Sequence, residues 1–294
     1  MATAGQWIQG ARLRTLPIAI APVVIGTAAA YDLGGFHLLN AILATVVALF
    51  MQIGVNYAND YSDGIRGTDE VRVGPLRLVG SGVAKPQQVK LAAFASFGVA
   101  MLAGLALVVL SQTWWLLLVG IGCVLAAWGY TGGKNPYGYM GLGDVFVFVF
   151  FGPVATLGTT YTQAGQISPA AVVGSIGTGL IACALLMANN VRDIPTDTEV
   201  GKRTLAVRLG DKRARLSYVL MLAVAILLVL VLVPAKGWML LVLLLIPACL
   251  MPSWLVLKGK KRKSLIPVLK QTGLINLGYA GLFAAGLVLT VVTR

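Results

Sequence analysis

Charged residues are scarce in this chain, and long hydrophobic runs take their place. Of 294 residues, 11% are charged and 58% are hydrophobic, whereas a soluble globular domain has roughly 25% charged residues. This deficit excludes an ordinary soluble domain. The sequence therefore predicts an integral membrane protein.

Histidine and cysteine, the usual ligands of zinc, are also nearly absent. His37 is the single histidine, and the three cysteines, Cys123, Cys183 and Cys249, are isolated within apolar runs. Neither a C-x-x-C pair nor a histidine at metal-binding spacing is present. Because His37 falls in a predicted outer connection, we exclude a zinc site and a histidine-dependent catalytic triad at the cytoplasmic face, and interpret the cysteines as small packing residues.

Apolar windows of about 20 residues predict nine membrane spans. They cover residues 15–32, 38–58, 88–110, 114–131, 145–162, 169–190, 216–234, 237–257 and 272–292. Backbone groups in lipid must be satisfied within each segment, so these spans are expected to be helices. The predicted fold is an all-α integral membrane protein, a single domain over 1–294 with two four-helix pseudo-repeats and a ninth helix. The first span could instead be a secretory signal, but Pro17 and Pro22 favour a retained, kinked helix.

The basic residues predict the orientation of these helices. All Lys and Arg except Lys236 and Arg294 fall on one side of the predicted topology. By the positive-inside rule this side is cytoplasmic, with the N-terminus inside and the C-terminus outside. The net charge of +13 is then explained by loops lying against anionic membrane lipid, with no need for nucleic acid.

Two clusters of polar residues stand at the ends of apolar runs, in predicted cytoplasmic loops 59–87 and 191–215. The first contains Asn56, Asn59, Asp60, Asp63, Arg66 and Asp69, and the second contains Asn189, Arg192, Asp193, Asp197, Lys202 and Arg203. Carboxylates are costly beside hydrocarbon, so we interpret both clusters as functional and facing one pocket. Matching offsets from Asn56 to Asp60 and from Asn189 to Asp193 support an internal duplication weakly.

These residue types suit a magnesium–diphosphate site. Mg²⁺ prefers hard oxygen ligands and is usually held by one or two carboxylates together with substrate phosphates. Asp60, Asp63, Asp193 and Asp197 are the expected metal ligands, for two or more ions that bridge a diphosphate. Arg66, Arg192, Lys202 and Arg203 would neutralise phosphate charge, although positive-inside bias alone would supply basic residues here.

A hydrophobic protein with a diphosphate site would fit a prenyl diphosphate, whose tail needs an apolar groove. Tyr130 and other tyrosines could stabilise an allylic cation through their ring faces, or belong to an interfacial belt. Asn56 and Asn189 could orient carboxylates, or form hydrogen bonds between helices. Asp144 could bind an acceptor hydroxyl, or occupy a helix N-terminus as acids commonly do.

The two acidic segments resemble the paired signatures of the intramembrane aromatic prenyltransferases of the UbiA type, N-D-x-x-D-x-x-x-D and D-x-x-x-D. The similarity extends over nearly the whole chain and is strongest to the branch that acts on 1,4-dihydroxy-2-naphthoate in menaquinone synthesis. Its further motifs are Gly74-Pro75-Leu76-Arg77, Tyr130-Thr131-Gly132-Gly133, Pro136-Tyr137-Gly138-Tyr139, Gly141-Leu142-Gly143-Asp144 and Thr204-Leu205.

The resemblance implies a nine-helix fold and Mg²⁺-dependent transfer of a polyprenyl chain to 1,4-dihydroxy-2-naphthoate, with loss of CO2 and diphosphate, giving demethylmenaquinone. It assigns Asp60, Asp63, Asp193 and Asp197 to the metal–diphosphate site. One departure is Gly67, which stands where the general motif has its third aspartate, so Asp69 could substitute for it.

Three other functions fit parts of the sequence. Another aromatic acceptor, such as 4-hydroxybenzoate, would use the same site. A two-repeat transporter would place its binding groups near the bilayer midplane, whereas the acids here, except Asp32, lie at the cytoplasmic margin. A phosphatidyl-group transferase would need a D-G-x-x-A-R signature, which Asp63-Gly64-Ile65-Arg66 does not reproduce.

Overall fold

The computed structural model describes residues 2–67, 76–134, 136–259 and 262–293, and over these ranges the regular structure is entirely helical. Apart from short 3-10 helices at Leu13–Thr15, Tyr137–Met140 and Arg262–Leu265, ten helices follow one another within the described residues. They are α1 (Ala4–Ala11), α2 (Leu16–Asp32), α3 (Leu38–Ile65), α4 (Pro86–Ser111), α5 (Leu116–Gly129), α6 (Gly143–Ala164), α7 (Pro169–Glu199), α8 (Leu205–Leu232), α9 (Gly237–Leu257) and α10 (Ile266–Val292). The expected all-α membrane fold is confirmed.

Each of the nine predicted spans corresponds to one helix from α2 to α10. Within the described ranges, eight helices are long and apolar enough to cross a membrane, if α1 and α2 are taken together. The exception is α5, which was predicted over 114–131 and has 14 residues. At about 1.5 Å per residue this helix is roughly 21 Å long, which is shorter than the hydrocarbon core of about 30 Å.

The acidic clusters lie on helices, contrary to the prediction that they belong to loops starting at 59 and 191. Helix α3 continues to Ile65 and α7 continues to Glu199. Pro195 lies inside α7 and does not end it. Asp193 and Asp197, four residues apart on α7, therefore share a helix face. On both helices the backbone fixes the direction of these side chains better than a loop would.

Helix α8 also begins earlier than the predicted 216. It starts at Leu205 and bends at Gly210, whose φ of 74° and ψ of 161° lie outside helical values. Glycine adopts this positive φ without the steric penalty of a Cβ atom. The bend separates a short polar segment from the apolar part of α8.

Close backbone contacts join α6 to α2 and α7. A Cβ atom on Gly26 would lie 2.5 Å from the carbonyl oxygen of Thr156, and one on Gly152 would lie 2.6 Å from that of Ser175. Helix α6 contains a π-helical turn over Phe150–Val154, which includes Pro153. Proline lacks an N–H group, and a widened turn accommodates its ring within the helix.

The apolar core lies on one side of the bundle, between α2, α7, α8 and α10. Ile25, Met187, Tyr218 and Phe283 are fully buried there. The other side, between α2 and the helices α3 to α7, encloses a cavity. At the far end of the bundle, Lys236 pairs with Asp32 at 2.6 Å, and both side chains are largely buried.

The close contact at Gly152 predicts a stability effect. Gly152→Ala is expected to lower the unfolding midpoint in detergent, because overpacking typically costs about 1–3 kcal/mol. Gly281→Ala is the matched control, since a Cβ atom at Gly281 in α10 meets nothing within 4 Å. Equal midpoints for the two variants would contradict close packing of α6 on α7.

Candidate active site

A cavity of about 940 Å³ extends between α2, α3, α4, α5, α6 and α7. Its polar end receives side chains from both acidic clusters, and most of its remaining wall is apolar, with Met101, Leu105 and Val124 among the lining residues. The predicted convergence of the two clusters on one pocket is therefore reproduced. The predicted site residues that line this cavity are Asn56, Asn59, Asp63, Tyr130, Asn189, Asp193, Asp197 and Lys202.

Asp63 connects three separate segments at the polar end. Its carboxylate accepts a short hydrogen bond from the Tyr139 hydroxyl, and Lys202 Nζ and Arg77 Nη2 lie 3.4 and 3.5 Å from its oxygens. These partners come from the connections that follow α5, α7 and α3 respectively. Asp63 is 5% exposed, and such charge-assisted contacts offset the cost of burying a carboxylate.

Asp60 points away from the cavity, although it was predicted as a metal ligand. Its carboxylate oxygens accept the backbone N–H groups of Leu78 and Val79 at 2.8 and 3.0 Å, and the side chain is 0% exposed. It is not among the residues that line the cavity. Since the lone pairs of Asp60 are engaged by the turn that leads to α4, its position favours a structural role.

The second cluster presents two carboxylates to the cavity from one face of α7. Asp193 and Asp197 both line it, as do Asn189 and Asn190. Arg192 binds Asp193 with two hydrogen bonds, from Nε to Oδ1 at 2.7 Å and from Nη2 to Oδ2 at 2.6 Å. Arg192 is buried and is not itself a lining residue, so it orients Asp193.

These positions favour a different register for the predicted internal duplication. We predicted that Asn56 and Asp60 correspond to Asn189 and Asp193. The pair that faces the cavity on α3 is instead Asn59 with Asp63, which has the same spacing of four residues as Asn189 with Asp193. In this register, Gly67 stands where the second cluster has Asp197.

The predicted phosphate-binding cations divide into two groups. Lys202 lines the cavity, with Nζ 4.3 Å from the centroid of the Tyr139 ring. Burial disfavours its ammonium form, but Asp63, Tyr139 and Asp197 outweigh this effect, so the pKa of Lys202 lies above its ordinary value. Lys202 therefore remains a cation at neutral pH.

Arg66 and Arg203 do not line the cavity. Arg66 donates short hydrogen bonds to the carbonyl oxygens of Thr131 and Gly133, and thereby fastens the segment after α5 to the end of α3. Arg203 is exposed, and its backbone N–H binds the carbonyl oxygen of Tyr139 at 2.8 Å. The phosphate role that the sequence analysis gave these two side chains has no support from their positions.

The remaining predicted residues lie around this centre. Asn56 donates from Nδ2 to the carbonyl oxygen of Ala11 and to Thr15 Oγ1, both at 2.9 Å, which fits the alternative of hydrogen bonding between helices.

Burial, with Asp144 nearby, raises the pKa of Tyr130, so its phenol keeps its proton. Asp144 is buried, and both its carboxylate oxygens lack a hydrogen-bond partner among the described residues. Asp69 lies outside the described residues.

Sequence reasoning missed Arg77 and underrated Tyr139. Arg77 was noted only as a basic loop residue and as part of a family motif, and Tyr139 was one of several tyrosines. Both contact Asp63 from connections remote in sequence. No sequence spacing predicts that Arg77 and Tyr139 contact Asp63. Their presence in family motifs was the one sequence feature that pointed to a functional role.

The donor set at the polar end suits Mg²⁺. Carboxylate oxygens from Asp63, Asp193 and Asp197 and amide oxygens from Asn59 and Asn189 are hard ligands on one cavity. Over the described ranges, no group of three or more His, Cys, Asp or Glu side chains is compact enough to hold a metal alone. Mg²⁺ usually keeps waters and substrate phosphates among its ligands, so the side chains need not complete its coordination alone.

The placement of Asp60 predicts a loss of stability that does not depend on substrate. Asp60→Asn puts an amide N–H₂ against a backbone N–H group, and an unsatisfied buried donor costs about 1–3 kcal/mol. We expect a lower unfolding midpoint without metal or substrate. Asp197→Asn, at the half-buried end of α7, is the matched control and should have a smaller effect. A smaller effect for Asp60→Asn than for Asp197→Asn would contradict the structural role.

The fold and cavity define a class of protein: a multi-pass membrane protein whose helices enclose an apolar cavity with a polar end rich in carboxylates, amides and cations. A comparison of the sequence with known families assigns the chain to one of them. Residues 19–277 match the UbiA prenyltransferase family. The chain belongs to this family.

Similar proteins agree with the assignment. The chain is 53% identical over 280 residues to a 1,4-dihydroxy-2-naphthoate octaprenyltransferase of Mycobacterium tuberculosis, covering 95% of this chain and 96% of the relative. The apo structure of a UbiA homologue from Aeropyrum pernix has a TM-score of 0.70 and 17% identity, covering 93% of this chain and 98% of that chain. A homologue from Archaeoglobus fulgidus bound to DMAPP and Mg²⁺ has a TM-score of 0.64 and 17% identity, covering 96% and 99%.

Proposed function

We propose that this protein transfers a polyprenyl chain from its diphosphate to 1,4-dihydroxy-2-naphthoate in a Mg²⁺-dependent reaction that releases CO2 and diphosphate and gives demethylmenaquinol, the reduced form of demethylmenaquinone. The observation that carries the proposal is one cavity in which Asn59 and Asp63 of α3 and Asn189, Asp193 and Asp197 of α7 share a polar end continuous with an apolar wall. The name of the mycobacterial relative supports the choice of acceptor.

Substrate binding would divide between the two parts of the cavity. Asp63, Asp193 and Asp197 would hold two or more Mg²⁺ ions, and Lys202 and Arg77 would bind the remaining phosphate charge. When bound, Mg²⁺ would act as a Lewis acid on the departing diphosphate. The prenyl tail would lie against apolar residues such as Met101 and Leu105.

The chemistry balances without an added base. The bond between prenyl C1 and the diphosphate oxygen breaks, and its electron pair stays on diphosphate. An electron-rich ring carbon forms the new carbon–carbon bond to C1. If this carbon bears the carboxylate, loss of CO2 returns an electron pair to the ring and restores its aromaticity. The tyrosine rings and the apolar walls exclude water from the allylic cation and stabilise it.

The basic loops support a cytoplasmic location of the polar end. Lys and Arg other than Lys236 and Arg294 belong to the same predicted side as the acidic clusters, and such a bias is typical of the inner face of a cell membrane. The diphosphate donor and the aromatic acid would then enter from the cytoplasm, with the prenyl tail drawn from the lipid.

Substitutions in the cavity carboxylates test the reaction. Asp63→Asn, Asp193→Asn and Asp197→Asn are each expected to lower kcat/KM at least about 100-fold, since each removes a ligand of the Mg²⁺ that would stabilise the departing diphosphate. The assay uses purified protein, Mg²⁺, labelled polyprenyl diphosphate and either 1,4-dihydroxy-2-naphthoate or 4-hydroxybenzoate. Glu199→Gln, exposed at the end of α7, is the control and should keep full activity.

Two outcomes would reject different parts of this proposal. Wild-type activity in the three aspartate variants would refute the metal–diphosphate site. Product formed with 4-hydroxybenzoate, and none with the naphthoate, would refute the acceptor and keep the prenyl transfer.

Adjacent lysine and arginine residues provide a matched pair for donor binding. Lys202→Gln is expected to raise the KM for the polyprenyl diphosphate about tenfold, because a hydrogen bond to a charged group contributes about 1.5–3 kcal/mol. Arg203→Gln removes the same charge from an exposed side chain outside the cavity, and should leave this KM unchanged. Similar increases in both variants would indicate general electrostatic attraction instead of a specific contact.

A further inference from the structure

Two polar atoms without partners lie on the cavity wall where the chain passes from α1 to α2. They are Nη2 of Arg12 and Oε1 of Gln52, and both are buried without a hydrogen-bond partner among the described residues. Both residues line the cavity. A buried donor or acceptor left unsatisfied costs about 1–3 kcal/mol, so such a pair requires an explanation.

Arg12 occupies a backbone conformation that favours glycine. It has φ 54° and ψ 58°, in the left-handed region, at the C-terminal end of α1. For residues with a Cβ atom this conformation costs roughly 1–2 kcal/mol, and glycine is the usual residue at such helix ends. An arginine at this position indicates that its side chain has a role.

The backbone around Arg12 is held rigidly against α3. The carbonyl oxygen of Arg12 accepts hydrogen bonds from the backbone N–H and the hydroxyl of Thr15, at 2.8 and 2.9 Å. Asn56 Nδ2 binds the neighbouring carbonyl oxygen of Ala11 at 2.9 Å. The Arg12 side chain therefore begins from a fixed point beside the cavity.

The orientation of Gln52 follows from the same hydrogen bonds. The single hydroxyl hydrogen of Thr15 is used on the Arg12 carbonyl, so Thr15 Oγ1 can only accept from Gln52, whose Nε2 lies 3.0 Å away. The amide oxygen must then point the other way. Gln52 is 7% exposed, and its Oε1 can accept a hydrogen bond from a group bound in the cavity.

We propose that Arg12 and Gln52 form the binding site for the aromatic acceptor, in which the Arg12 guanidinium binds the carboxylate and Gln52 Oε1 accepts a hydrogen bond from a ring hydroxyl. A hydroxylated aromatic acid supplies this combination of a carboxylate and a hydroxyl donor. The inference rests on the proposed prenyl transfer and adds the residues that select its acceptor.

The position of Gln52 separates this site from the diphosphate. Gln52 precedes Asp63 by 11 residues on the continuous helix α3, which is roughly 16 Å along the helix axis at about 1.5 Å per residue. A diphosphate held at Asp63 does not extend that far. The interval leaves room for a bicyclic ring beside the prenyl C1, with the ring carbon that bears the carboxylate, which is the reacting carbon, presenting one of its faces to C1.

A binding experiment that needs no turnover tests the site. The probes are 1-hydroxy-2-naphthoate, 2-naphthoate and 1-naphthol, titrated calorimetrically into the purified full chain in nanodiscs. The wild type should bind 1-hydroxy-2-naphthoate at least tenfold more tightly than 1-naphthol. Arg12→Gln should abolish this preference, Arg12→Lys should retain part of it, and Gln52→Leu should abolish the preference for 1-hydroxy-2-naphthoate over 2-naphthoate. A ratio of affinities within one variant is not altered by partial unfolding.

Arg14→Gln is the matched control, because Arg14 is exposed, lies two residues away and does not line the cavity. It should keep the wild-type preferences. In the transfer assay, Arg12→Gln should raise the KM for the naphthoate at least tenfold, lower kcat by less, and leave the KM for the donor within twofold. The contact acts in binding, because the carboxylate leaves as neutral CO2 once the new bond has formed.

Three results would overturn the inference. They are equal wild-type affinity for 1-hydroxy-2-naphthoate and 1-naphthol, equal losses in Arg12→Gln and Arg14→Gln, or a raised KM for the donor in place of the acceptor. If the preferences follow the expectation but the wild type prenylates no aromatic acid, the proposed function fails and the binding site for a hydroxylated aromatic acid remains.

Discussion

The Asp63 carboxylate is the contact on which the polar end of the cavity depends. It joins Tyr139, Lys202 and Arg77 from three different connections between helices. A carboxylate buried among apolar helices is stable only when cations and hydroxyl donors compensate its lost hydration. Because these partners come from three separate connections, burial of the Asp63 carboxylate holds the connections against one another. The same contacts position the side chains of the candidate site.

Helices that continue past the apolar windows give the site its rigidity. The acidic motifs of α3 and α7 lie on their final turns, where backbone hydrogen bonds fix the direction of each side chain. Asp60 adds to this by holding the Leu78–Val79 turn, which leads back to α4 and lies next to Arg77. Side chains on helices are positioned more precisely than those on loops, which suits a reaction that must align two substrates.

Hydrophobicity and charge predicted most of the fold, because span length and the cost of charge in lipid act locally along the sequence. Asn59, Asp63, Asn189, Asp193 and Asp197, which line the cavity, were all identified, whereas Asp60, also predicted as a ligand, is fully buried and does not line it. Asp60 and Asp63 are three residues apart on one helix, and only the packing of the 76–80 turn decides which faces the cavity. The contacts of Arg77 and Tyr139 are likewise tertiary, so no local pattern encodes them.

The lining charges also explain why metal and donor would depend on each other in the proposed reaction. Asp63, Asp193 and Asp197 repel a bare diphosphate, and Lys202 and Arg77 are already shared with Asp63. In a cavity of low polarity this repulsion is screened weakly. Mg²⁺ held by these carboxylates would offset the repulsion, so the donor would bind well only when the metal is present. The carboxylates that would hold the complex would also repel free diphosphate once its metal departs, which favours release of the product.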